Sequence, residues 1–172
     1  AKQFLKETAS VKQGWSGVMA GIKILPSHNK TPPFWIKNYF NKQIHYSSYH
    51  LNQDTFNYYE EHMRKFGIRY LDGYPTSIGS LARFILDAGR TLKLDAVFSS
   101  SQAVQDWSKQ AIEEAFQCKV YEFYALAERN LWGISTGGSD KLYIVDPICM
   151  VEINANFQSM GNTKKLVATV DE

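Results

Sequence analysis

A chain of 172 residues is long enough for one domain with a real core and too short for two comfortable ones. Its 44% hydrophobic and 21% charged content is that of an ordinary globular protein, which excludes a disordered or fibrous class. Nineteen basic against seventeen acidic side chains, spread without long runs, make no field suited to nucleic acid or an anionic membrane, so neither is expected as a partner.

No apolar run approaches the roughly 20 residues that span a bilayer, and the first residues, "AKQFLKETAS", carry no signal-peptide core. A cytoplasmic location is the expectation. Cys118 and Cys149 have neither CxxC spacing nor a neighbouring histidine, and read as two reduced thiols.

Residues 1–50 read as an irregular lead-in with short strands: "WSGVMAGIKILP" holds one or two of them, and "TPPFWIKNYFNK" has prolines and aromatics without a clean period. The segment "DTFNYYEEHMRKF" then sets Phe56, Tyr59, Met63 and Phe66 on one helical stripe, with Asp54 as the expected N-cap. "IRYLDGYP" reads as a strand, and "PTSIGSLARFILDAG" as a helix with Pro75 in its first turn and Gly89 past its end. "LDAVFSS" is a second strand, followed by a helix whose Val104, Trp107, Ala111 and Ala115 share a face, and "KVYEFY" is a third.

This alternation predicts a βαβ core over 51–130, built on a parallel, Rossmann-like sheet with right-handed crossovers. From residue 131 to 172 four strand-like runs, "NLWGIS", "KLYIVD", "ICMVEINA" and "KLVATVD", predict an antiparallel β extension.

In open parallel sheets ligands lie beyond the carboxyl ends of the strands. Three loops meet that description: "DGYPTS", "SSSQAV" and "YALAERN". Ser99, Ser100, Ser101 and Gln102 combine hydroxyls with a helix N-terminus, which suits a polar or phosphate-bearing ligand, although a serine before a helix is most often its cap. In "YALAERN" an aromatic ring at a strand end can face a base, and a carboxylate four residues on can hold Mg²⁺, whereas a surface Glu-Arg pair is the plainer alternative. "STGGSDK" lacks phosphate-loop spacing and reads as a hairpin turn, and His28, His45, His50 and His62 show no metal-ligand pairing.

The ordered series "PFWIKNYFNKQIHYSSYHLN", "YLDGYPTSIGSLARFI", "LDAVFSSSQAV", "VYEFYALAERN" and "VEINA...KLVATV" resembles the adenylate-forming, AMP-binding enzyme superfamily. It is most similar to the branch of phenylacetate-coenzyme A ligases and capsular-polysaccharide-biosynthesis-type proteins, from about Thr31 onward. The resemblance implies part of the large N-terminal domain of a ligase that uses ATP and Mg²⁺ to turn a carboxylic acid into an acyl-adenylate. The acyl group would then pass to a thiol, such as coenzyme A, or to an amine.

Transferred by motif, Tyr124 would stack on adenine, with Ala125 and Ala127 beside it in the nucleotide loop. Glu128 would be the catalytic carboxylate and Mg²⁺ ligand, and Ser100, Ser101 and Gln102 would lie at the adenine and ribose side. Tyr74 and Pro75 would approach the acyl pocket. Ala125 replaces the family's usual glycine, Ala127 a hydroxyl residue and Gln102 a common acidic one, which leaves a non-catalytic nucleotide-binding or interaction module as the alternative. Arg129 is a feature of the capsular branch. The family's phosphate loop, its T-G-D motif and its lysine-bearing lid are not in these residues, so the chain is expected to be an internal piece of a longer enzyme and inactive alone.

Overall fold

Five strands run parallel through the middle of the molecule, and the others extend the sheet on both sides. The structure, a computed structural model, describes residues 15–26, 30–100, 104–125, 132–135, 141–145 and 165–167. The described strands are β1 (Ser16–Ala20), β2 (Trp35–Asn38), β3 (Gln43–Ser47), β4 (Tyr70–Gly73), β5 (Ala96–Ser100), β6 (Lys119–Ala125), β7 (Trp132–Ser135), β8 (Lys141–Val145) and β9 (Lys165–Val167). The helices are α1 (Phe56–Lys65), α2 (Pro75–Asp87) and α3 (Asp106–Phe116), with a 3-10 turn at Ser48–His50.

The sheet order is β2-β3-β1-β4-β5-β6-β7-β8-β9. Strands β3, β1, β4, β5 and β6 are parallel, while β2 pairs antiparallel with β3 at one end. The parallel core therefore begins at residue 16, inside the stretch read as an irregular lead-in, because β1 inserts between β3 and β4. At the other end β7 and β8 continue antiparallel. Strand β9 departs from the antiparallel pattern expected of the extension, since it pairs parallel to β8. Residues 146–164 between them are numerous enough for the return crossing that a parallel pair needs. The run "ICMVEINA" lies outside the described residues.

The connections β3→β4, β4→β5 and β5→β6 all step the same way along the sheet, so right-handed crossovers put α1, α2 and α3 on one face. There α2 packs between α1 and α3. The shared core joins Leu71, Val97 and Val120 of the strands to Ile78, Leu81, Ala82, Ile85, Ile112 and Phe116 of the helices. On the opposite face Tyr70, Phe98, Tyr121 and Phe123 meet ring to ring at 5.6 to 6.4 Å.

Local chemistry explains where the elements begin. Thr55, not Asp54, holds the N-cap position of α1, because the Asn52 side chain already accepts the Asp54 N–H at 2.9 Å and leaves Asp54 exposed. The expected stripe is present, with Phe56, Tyr59 and Met63 buried and Phe66 packed partly against them. For α3 the expected face is corrected: Ser108, Ile112, Ala115 and Phe116 are buried. Trp107 is 45% exposed and lies near Arg83, 5.9 Å from its guanidinium, while Val104 precedes the helix. A small residue, Ser108, takes the inward phase because α2 comes so close there that a Cβ on Gly79 would lie 2.4 Å from the Ser108 hydroxyl.

Candidate functional site at the carboxyl edge of the sheet

Strands β4, β5 and β6 are neighbours, and their carboxyl ends are in register. Gly73 pairs with Ser99, Ser99 with Glu122, and Ser100 with Phe123. The three motif-bearing loops thus leave one edge side by side.

Gly73 ends β4 at φ 148°, and a Cβ there would meet the Met19 carbonyl oxygen at 2.5 Å, so only glycine lets β4 lie against β1 at this point. Tyr74 follows in the N-cap position of α2 and is 43% exposed. Pro75 occupies the first turn, is buried, and offers its carbonyl to the Ser108 hydroxyl at 3.1 Å. Of the sequence-predicted residues, Tyr74 stands open at the edge and Pro75 supports it from beneath.

Ser100 is the last residue of β5, and Tyr124 and Ala125 are the last two of β6, where they pair with Gly133 and Trp132 of β7. The structure brings these backbones to adjacent strand ends. Ser101, Gln102, Ala127 and Glu128 lie outside the described residues.

Two buried polar residues emerge here, Ser99, read with the serine run, and Glu122, which the sequence reading did not single out. Ser99 is wholly buried with a hydroxyl that has no hydrogen-bond partner among the described residues. Glu122, 9% exposed, lies next to it in register, in the same phase as Val120. Its carboxylate Oε2 accepts the Val104 N–H at 3.2 Å, and its own N–H donates to the Ser135 hydroxyl at 3.2 Å. The signal was present in "VYEFY": a carboxylate in the core-facing phase of a strand is a costly placement that needs a partner. Gln105 holds the N-cap position of α3 and makes no side-chain cap bond, and the described serines of the run, Ser99 and Ser100, belong to β5.

The flank around β3 is closed by comparison. Ser47 donates to the Ile22 carbonyl at 2.6 Å, and His50 is buried and stacked on Phe34 at 5.2 Å. His62 sits between Trp35 at 3.8 Å and Phe66 at 4.3 Å and shares a 2.9 Å hydrogen bond with the Tyr46 hydroxyl. Burial, then the charges of Lys37 and Lys65, push its pKa down to about 4. Burial also raises the Tyr46 and Tyr59 hydroxyls well above the ordinary tyrosine range. Tyr46, Tyr59 and His62 are therefore neutral at pH 7. Cys118 is a free thiol pushed up to about 12 by burial and by Glu113 and Asp95, far from thiolate at neutral pH.

Among the described residues no group of three His, Cys, Asp or Glu side chains is placed to hold a metal. No helix among them is long and apolar enough to cross a membrane.

The fold defines the chain as an α/β protein of the open, mainly parallel class, in which the carboxyl ends of the strands are the usual place for a ligand. No family model matches. The chain is similar to Protein CapK of Staphylococcus aureus, 35% identical over 128 residues that cover 73% of this chain and 28% of that protein. It therefore spans little more than a quarter of that relative's length. A solved structure of 2-hydroxyisobutyryl-CoA ligase, in complex with 2-HIB-AMP and CoA, superposes with a TM-score of 0.46 at 15% identity, covering 70% of this chain and 27% of that one.

Proposed function

We propose that the protein carrying this chain is an ATP-dependent, AMP-forming carboxylate ligase, and that this chain supplies part of its nucleotide and acyl crevice. The observation that carries the reading is the register of the β4, β5 and β6 tips, which makes neighbours of the three segments whose motifs resemble the adenylate-forming enzymes. Similarity to CapK supports the capsular-biosynthesis branch over other members.

The described edge fits a nucleotide. Helices α2 and α3 both begin after strands that end at this edge, and the positive end of a helix dipole favours anionic oxygens. The unpartnered Ser99 hydroxyl adds a polar atom that a ligand or water can satisfy. In this reading Tyr124 stacks on adenine, Ser100, Ser101 and Gln102 line the ribose side, Ala125 and Ala127 border the phosphates, and Tyr74 with Pro75 edges the acyl pocket. Glu128 would hold Mg²⁺, whose charge offsets that developing on the phosphate oxygens. The substrate carboxylate would attack the α-phosphate, forming a C–O–P link as pyrophosphate leaves. A thiol of the coenzyme A type or an amine would then take the acyl group and release AMP. The work of the chain's own residues is positional and electrostatic, without a covalent nucleophile.

Pyrophosphate exchange in the intact protein, over a panel of carboxylic acids, is the test. Exchange that depends on one class of acid is expected. Glu128→Gln should cut it on the order of a hundredfold, as loss of one transition-state contact does. Tyr124→Ala should raise the KM for ATP roughly tenfold, the worth of one stacked base. No exchange with any acid, and no binding of ATP or AMP, would end the proposal. A second reading, a nucleotide-binding module without the reaction, draws on Ala125, Ala127 and Gln102, and predicts AMP binding without exchange.

A further inference from the structure

Glu122 is buried in a strand face otherwise lined by Val120 and its apolar neighbours. A carboxylate there needs strong donors to offset lost hydration. One of them is a main-chain group of another element: the Val104 N–H, two residues ahead of α3. The start of α3 has no side-chain cap of its own. Glu122 therefore pins the segment that enters α3 to the adjacent strand, through an N–H just outside the helix.

The linkage continues. Four residues past Val104, the Ser108 hydroxyl donates to the Pro75 carbonyl at the start of α2, and Gly79 leaves no room between the two helices. Backward, the Glu122 N–H is held by Ser135 of β7. One buried carboxylate thus sits in the middle of a chain of contacts running from β7 through β6 and α3 to the turn after β4.

We propose that Glu122 is a positioning residue: acting through the Val104 N–H, it sets the amino end of α3, and through Ser108 that of α2, at the height on the sheet edge that nucleotide binding requires. This rests on the ligase reading above and adds a residue that the motif resemblance does not assign. Glu122 acts by reach and acceptor geometry, so an amide of equal length can stand in for it and a shorter carboxylate cannot.

The test compares Glu122→Gln, Glu122→Asp and Glu122→Ala in the intact protein by two readouts: hydrogen exchange of the Val104 amide, and AMP affinity by calorimetry. Glu122→Ala and Glu122→Asp should speed exchange at Val104 and weaken AMP binding, each about tenfold, the effect of losing one hydrogen bond. Glu122→Gln should restore most of both. If Glu122→Ala does not fold, the Asp and Gln pair still decides the matter. Three results overturn the proposal alone: unchanged exchange at Val104 in Glu122→Asp, faster exchange with AMP affinity intact, or an AMP affinity that survives in Glu122→Asp and collapses in Glu122→Gln, which would make the charge itself a ligand contact. A wild-type protein that binds neither AMP nor ATP overturns it together with the ligase reading, and is told apart because only then is the nucleotide arm blank in every variant.

Discussion

The two halves of the parallel sheet bury polar groups to different ends. Around β3, β1 and α1, the buried Tyr46, Tyr59 and His62 join the sheet to the helix that covers it, within the packed interior, and Glu60 is met by two arginines. Tyr59 donates to the Ser47 carbonyl at 2.7 Å, Tyr46 meets His62, and Glu60 is flanked by Arg64 at 2.9 Å and Arg90 at 3.0 Å. The Arg90 approach is a charge pairing without hydrogen-bond alignment at Oε2. Around β4, β5 and β6 the bonds of the buried polar groups lie instead at the carboxyl edge: Glu122 to Val104, Ser108 to Pro75. The first arrangement makes a rigid wall, and the second makes a brace for loops. The two regions differ in where their buried polar pairs sit, within the packed interior in one and at the rim of the sheet in the other.

The strongest way to break this contrast is at the seam between the halves. Gly73→Ala would force a Cβ to within 2.5 Å of the Met19 carbonyl at a backbone angle that side chains avoid. It should cost about 3 kcal/mol of unfolding free energy in denaturant titration, the scale of one strained residue plus overpacking. A loss under about 1 kcal/mol would mean that the seam can widen freely.

Acid should weaken the wall. His62 in the fold has a pKa of about 4, against 6.5 in the unfolded chain, so the folded state binds fewer protons. Its contribution is fully present above pH 6.5 and is lost as pH falls through about 4. The difference between wild type and His62→Gln in unfolding free energy, followed over that window, should shrink by up to about 3 kcal/mol as pH drops. Parallel profiles would show that His62 carries no such linkage.

The smallest effect sharpens the brace. Ser108→Ala removes the hydroxyl from Pro75 and should cost about 1 kcal/mol, with exchange of backbone amides rising in the first turn of α2 more than in α1. Equal change in both helices would argue that the two halves respond as one.

Much of this architecture was legible in the residues. The alternation of Val- and Phe-rich runs with three- and four-spaced apolar stripes located β4, α2, β5, α3 and β6, and the turn residues after them pointed to one edge. Strands β1 and β3 were harder. Gly17 and Gly21 weaken the first as a strand pattern, and His45, Ser47 and Ser48 make "QIHYSSYH" look polar although it fills the core through Ile44 and Tyr46. Trp107 misled because spacing alone marks a face without saying which face is inward; the tight approach at Gly79 decided that, and no local pattern encodes it. Glu122 was passed over because attention to "YALAERN" favoured the carboxylate beyond the strand over the one within it.

The seam between α2 and α3 also restricts how such a protein can vary in length. Ser108 must face Pro75, so one residue inserted between Val104 and Ser108 would swing that hydroxyl by about 100° around the helix axis and drive a longer side chain at Gly79. Insertions are tolerable instead at the far ends of the two helices, near Gly89 and Gln117, where the backbone already turns left-handed and nothing at the crevice would register the change.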